Sequence, residues 1–417
     1  MEMNPRLRAV LDGQGLPLKV RLPATLLALA AAAALWLQAM HFLWWPNLND
    51  YLAAKGLAPQ TRAMAERHLE LWTDPVLRAR EVARMRGRNA EWDFMGRTFL
   101  VLALANIGLR EPAEQPRCLE AMDRIIDETL RLEKERGLYF FLMDYARAKP
   151  WVNQPPRSTF LDGEIALMIG ARQMLEERAD YRPLLAERVD VMIEYLKKGP
   201  VLSGESYPDE CWTFCNSAAL AAARVSDALD GRDHSGFITA WLASARKKLI
   251  EKQTGLLIAE YTLDGSELGG PEGSTTWMVA HCLALVDQPL ARDQYRRARR
   301  ELARGFLGFG YAKEWPAACR GEADVDSGPV IPVLEISAGS SGLAFLGAAT
   351  FDDRETLSGL LASLNFGGFP VERGGKLRYA ASNQVGDAVI LYALVQGPLW
   401  ERVRRRSEAR AGQGAGR

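Results

Sequence analysis

The sequence is poor in cysteine, with five in 417 residues, and poorer still in histidine, with four. Cys118, Cys211, Cys215, Cys282 and Cys319 are odd in number and sparse, which is not a disulfide framework. His41, His68, His234 and His281 are scattered and give no metal-ligand spacing. Excess charge is absent too: 52 basic residues balance 52 acidic ones. A chain without a concentrated basic face has no electrostatic footprint for nucleic acid. No nucleophile elbow, phosphate loop, dinucleotide fingerprint or HExxH helix occurs. Gly265, Gly269, Gly270 and Gly273 lack the strand-to-helix context of a phosphate loop. With 48% hydrophobic and 25% charged residues, the composition is that of a globular protein.

One long apolar run is present. Leu22 to Trp45 carries no charge, and as a helix it extends about 36 Å, enough for a hydrocarbon core of about 30 Å. Trp44 and Trp45 close it at the depth where aromatic rings prefer the interface, and Pro46 stops it. Arg6, Arg8, Lys19 and Arg21 precede the run, whereas Lys55 and Arg62 follow around Asp50. The positive flank stays in the cytoplasm, so residues 1–21 are expected inside, 22–45 across the membrane as a single pass, and the remainder outside. A cleaved signal peptide is the alternative, although its apolar region is normally shorter.

Through the rest, apolar residues recur at helical spacing. Helices are expected near 62–86, 91–109, 115–134, 160–177, 181–198, 213–230, 233–253, 273–287, 289–308, 334–349, 352–364 and 384–401. These twelve form six consecutive pairs with short polar junctions such as Ala179-Asp180. Six hairpins in one chain can close into a ring in which each apolar stripe meets both neighbours. The expected fold is therefore all-α, an (α/α)6 barrel over residues 60–400. Leu256–Thr262 and Lys376–Ala381 have strand character inside longer inserts. Residues 402–417 are basic and glycine-rich, the composition of a disordered tail.

Chemistry is expected in the inserts and at the adjoining helix starts, where loops on a rigid scaffold gather. Glu91-Trp92-Asp93-Phe94-Met95-Gly96-Arg97 sets an acid and a base four apart, as a site or as an ordinary ion pair. Thr159-Phe160-Leu161-Asp162-Gly163-Glu164 places two carboxylates at a helix start. Asp162 suits a cap, but Glu164 falls among apolar residues, where a raised pKa would fit it for acid catalysis. Tyr207-Pro208-Asp209-Glu210-Cys211-Trp212-Thr213-Phe214-Cys215-Asn216-Ser217 packs a phenol, carboxylates and thiols together. Asp324-Val325-Asp326-Ser327-Gly328-Pro329 pairs carboxylates on a turn, for acid–base chemistry, as a cation ligand or for turn geometry alone. Arg378-Tyr379 to Asp387 is the fifth such stretch. Candidate catalytic residues are Asp93, Glu164, Cys215 and Asp326. Candidate binding residues are Tyr207, Asp209, Glu210, Trp212, Trp277 and Tyr379. No metal site and no cofactor is expected.

The stretch Trp212-Thr213-Phe214-Cys215-Asn216-Ser217 resembles that of the linalool dehydratase/isomerase family, and the likeness continues through Thr239-Ala240-Trp241-Leu242, Leu249-Ile250 and Thr275-Thr276-Trp277. The resemblance implies an (α/α)6 barrel that binds a small terpenoid alcohol at its mouth and works by acid–base residues without a metal. Cys215 matches one family cysteine. The other falls at Ser206, the family histidine at Glu164, the aspartate and following tyrosine at Asp93 and Phe99, and a further tyrosine near Ser274. The expectation is a membrane-tethered, cofactor-free lyase or isomerase. A carbohydrate-active (α/α)6 enzyme, glycoside hydrolase or polysaccharide lyase, is the alternative. It would require two carboxyl groups about 5–9.5 Å apart and take a saccharide in place of a small alcohol. A third reading is a barrel that binds a ligand without turning it over.

Overall fold

The computed structural model describes residues 17–43, 45–319 and 328–414. Fifteen α-helices occur among them. The first, α1 (Leu18–Leu43), is exposed and apolar; its most apolar stretch is long enough to cross a membrane. It begins four residues before the charge-free run, so Lys19 and Arg21 lie inside it. Then come α2 (Pro59–Thr73), α3 (Pro75–Arg86), α4 (Ala90–Arg110), α5 (Gln115–Arg136), α6 (Thr159–Leu175), α7 (Tyr181–Lys197), α8 (Thr213–Asp230) and α9 (Ser235–Lys248). The chain continues through α10 (Gly273–Val286), α11 (Gln288–Leu302), α12 (Ala338–Thr350), α13 (Arg354–Gly367), α14 (Gln384–Val395) and α15 (Pro398–Gly414).

The helices α4, α6, α8, α10, α12 and α14 form a closed inner ring: each packs on the next, and α14 returns to α4. The odd-numbered helices α5, α7, α11 and α13 lie outside, and α2 packs between α14 and α5. The molecule is thus an (α/α)6 barrel. Position in the ring explains the local sequences. Every residue of α6 is buried, because an inner helix has neighbours on all sides. By contrast, α11 buries Leu290, Ala291, Gln294, Tyr295, Ala298 and Leu302, a stripe at helical spacing. The close approach of α6 to α8 uses Gly163, where a Cβ would sit 3.1 Å from Ala219 N.

Several boundaries differ from the sequence reading. The helix expected over 62–86 breaks at Asp74, which is extended before Pro75 and caps α3 by accepting from Val76 N and Leu77 N. That expected over 384–401 breaks at Gly397, at φ 117°, before Pro398. The helix expected to reach 308 stops at Leu302. There a strand, Ala303–Phe306, turns at Leu307 and Gly308, both at positive φ, the geometry of a two-residue hairpin. Residues expected to be a disordered tail from 402 are helical to Gly414. Val403 is buried against the barrel and Arg410 donates to Leu229 O at 2.5 Å, so tertiary contact supplies what composition lacks.

Short strands frame one end of the ring. The first three, β1 (Cys211–Trp212), β2 (Glu260–Tyr261) and β3 (Glu267–Gly269), form an antiparallel sheet with Cys211 opposite Tyr261. Three hairpins follow: β4 (Ala303–Phe306) with β5 (Phe309–Ala312), β6 (Val330–Ile331) with β7 (Ile336–Ser337), and β8 (Pro370–Arg373) with β9 (Lys376–Tyr379). Each precedes an inner helix or follows an outer one, so all lie where the inner helices begin. The opposite end is closed by α15. Leu399 N donates to Asn106 Oδ1 (3.0 Å) on α4, and Trp400 Nε1 to His281 O (3.3 Å) on α10.

Candidate functional site

A cavity of about 400 Å³ opens at the N-terminal ends of the inner helices, and all six contribute to its wall. Asn89 caps α4 by accepting from Glu91 N (2.8 Å) and Trp92 N, which sets Glu91 and Trp92 at the mouth. Glu91 faces the cavity, and the Tyr207 hydroxyl donates to its Oε1. Tyr207 in turn accepts from Met143 N at 2.8 Å and stacks on Tyr145 with centroids 4.5 Å apart. Burial first, then the Glu91 charge, holds the Tyr207 phenol well above its ordinary pKa, so it remains a donor.

The loop before α8 is locked by two side chains. Glu205, fully buried, accepts from Val152 N, Asn153 N, Asp209 N and the Tyr195 hydroxyl. Asn216 accepts from Gly204 N and donates to Gly204 O and Trp212 O. The Cys-Asn-Ser stretch therefore has a division of labour: Asn216 holds the loop while Cys215 lines the cavity. Burial pushes the Cys215 thiol well above its usual pKa, and Glu164 and Glu91 add to the rise, so the sulfur stays protonated.

Glu164 lies deeper in the barrel and is 1% exposed. Neither of its carboxyl oxygens completes a hydrogen bond. Desolvation raises its pKa to about 8, moderated by the Thr98 hydroxyl on α4. It acts electrostatically on both Cys215 and Cys282, which places it between α4, α8 and α10. A neutral carboxyl group thus stands inside the ring beside the Cys215 position.

Of the other expected residues, Trp212 lines the cavity, but several do not. Asp93 turns outward and pairs with Arg97 (Nε–Oδ1 2.9 Å), which also reaches Glu128 on α5. That is the ordinary ion pair its spacing allowed. Asp209 sits at φ 53° and accepts from Leu263 N, a loop role. Glu210 meets Lys149 at 3.1 Å. Trp277 is fully buried and donates to Ser340 Oγ (3.1 Å), filling the space between α10 and α12. Tyr379 ends β9 and is buried, and that strand packs on α2. Asp162 is gripped by Arg157 and Arg188. Asp326 lies outside the described residues. Groups of three or more His, Cys, Asp or Glu that could hold a metal ion do not occur among the described residues.

Sequence reasoning passed over Glu91 itself, and over Arg88 and Glu272, which also reach the cavity. The available signal was position: Glu91 follows an Asn cap and Glu272 immediately precedes α10, so both sit at inner-helix starts.

No family model and no curated protein matches the chain. Two solved structures are similar to it in part. One is a GH76 α-mannanase of Bacteroides thetaiotaomicron, with TM-score 0.46 and 12% identity over 75% of this chain and 87% of the other. The other is a family 105 glycoside hydrolase of C. acetobutylicum, with TM-score 0.42 and 12% identity over 80% and 99%. Likeness at that level carries nothing about the chemistry of the cavity.

Proposed function

We propose that this chain is a membrane-tethered acid–base enzyme acting on a small hydroxyl-bearing molecule, in the manner of a lyase or isomerase. The observation that carries the reading is a cavity wall that sets acid–base groups among apolar ones. Glu91, Tyr207 and Cys215 stand beside Met95, Phe99, Phe160 and Phe214 between α4 and α8, and α12 and α14 add Leu343, Val385 and Val389. A hydroxyl group would bind at Glu91, Tyr207 and Cys215 and a compact apolar body against the side chains around them. Glu91 would take a proton from carbon, and Tyr207 would hold that carboxylate in place. Cys215, backed by the neutral Glu164, would give a proton to the departing hydroxyl. Phe99, Ser206, Cys215 and Ser274 all line the cavity. These are positions at which the linalool dehydratase/isomerase resemblance places functional residues, and this supports the same reading.

A saccharide reading has its own support. Glu91 and Glu272 both reach the cavity, and Trp92, Trp212 and Tyr145 offer flat ring faces. Terpenols and oligosaccharides offered in parallel separate the two. Glu91→Gln should abolish turnover of a terpenol with Glu272→Gln near normal. Equal loss in both variants on an oligosaccharide would transfer the assignment to glycoside chemistry. Binding without turnover of any compound would leave only the non-catalytic barrel.

A further inference from the structure

We infer that the closed end of the barrel faces the bilayer and the mouth opens away from it, so the cavity draws its substrate from water. The inference rests on α1 being a retained anchor. The chain leaving α1 docks at the closed end. Asn49 Oδ1 accepts from Arg354, the first residue of α13, at 3.5 Å. Ala53 O accepts from Arg110, the last residue of α4, at 3.4 Å, and Leu57 N donates to Glu111 at 2.9 Å. Leu48 already packs against the core. Only residues 44–47 separate it from the end of α1, a span of at most about 17 Å.

The mouth is much farther away. Inner helices of 12 residues (α14) to 21 residues (α4) stand about 18–31 Å tall. Bringing the mouth to the lipid would require pulling residues 48–57 from beneath Arg110, Glu111 and Arg354. Nor does a route run through the closed end, because α15 lies across it with Leu399, Trp400 and Val403 buried. A ligand dissolved in the membrane has no direct path to Glu91. Substrate arrives as a water-borne molecule.

The test uses the full chain in phosphatidylethanolamine/phosphatidylglycerol vesicles carrying rhodamine-labelled lipid. Cys319→Ser removes the one cysteine that is not buried. A donor dye is then placed at Ala113→Cys, in the closed-end turn between α4 and α5, or at Arg373→Cys, in the β8–β9 hairpin at the mouth; both residues are exposed. Given a barrel height of about 18–31 Å, transfer to lipid should be at least about threefold stronger from Ala113→Cys. Equal or stronger transfer from Arg373→Cys would overturn the orientation. A purified membrane form whose mass lacks α1 would instead remove the anchor, and the inference with it. Circular dichroism melts matching the parent identify variants that fold.

Discussion

Glu91, Tyr207 and Cys215 differ in what a substitution should remove. Glu91→Gln keeps the shape and the cap but loses the base, so kcat should fall by about 10²–10⁴ with little change in melting. Tyr207→Phe leaves Glu91 and Met143 N each short of a partner, at a stability cost of about 1–3 kcal/mol. Activity and stability should therefore fall together there, and a Tyr207→Phe variant that melts normally would count against the hydrogen-bonded pair. Glu164 gives a pH signature. Its folded pKa of about 8 exceeds the ordinary 4.5, so the folded state holds the proton longer. That contribution is complete below pH 4.5 and drains away as pH rises through 8. Glu164→Gln, neutral throughout, should flatten the alkaline limb of the stability curve. Denaturant midpoints at pH 6 and 9 that drop as steeply in the variant as in the parent would refute the assignment.

At the scale of elements, the mouth depends on a few buried acceptors. Glu205 supplies four hydrogen bonds to the inserts around it, and Glu314 joins α10 to α12 by accepting from Ser274 N (3.0 Å) and from the Ser274 and Ser337 hydroxyls. Glu205→Ala should loosen residues 151–154 and 205–209 in hydrogen exchange while the inner helices keep their protection. The closed end depends on α15. Leu399, Trp400 and Val403 are each buried and are worth about 1.5–3 kcal/mol apiece. Truncation after Gln396 should thus lower the melting temperature sharply. Composition had marked this helix for disorder from residue 402 onward. It is ordered because the ends of α4, α8 and α10 offer it Asn106 Oδ1, Leu229 O and His281 O, partners far away in sequence.

For the whole molecule, the packed barrel carries buried titratable groups that must stay neutral. His281 Nδ1 lies 2.7 Å from the Thr350 hydroxyl, which itself donates to Leu346 O. The ring must therefore donate from Nδ1 and accept at Nε2 from the Tyr392 hydroxyl, at 2.6 Å. Burial depresses its pKa to about 3, and that of His68 to about 4, from an ordinary 6.5. The stability these neutral rings contribute is present above pH 6.5 and is lost as pH falls toward 3. The chain should be most stable between this acid limb and the alkaline limb set by Glu164. His281→Gln should soften the acid limb in a pH series of thermal melts.

Helix pairing and ring closure were legible from the sequence because they follow from apolar spacing, and a hairpin buries its stripe only against its neighbours. The apolar N-terminal run was legible for the same reason: length and absence of charge are properties of one segment. The direction in which side chains point was not. Asp93 and Glu91 are two residues apart at one helix start, yet the first turns out to Arg97 and the second in to the cavity. Trp277 and Tyr379 carry the composition of a binding surface and are core. Those outcomes depend on how far each inner helix is rotated about its own axis, and that rotation is fixed by packing between segments remote in the chain, such as Gly163 against Ala219. Tertiary structure alone therefore decided which carboxylates share the cavity and which end of the barrel is shut.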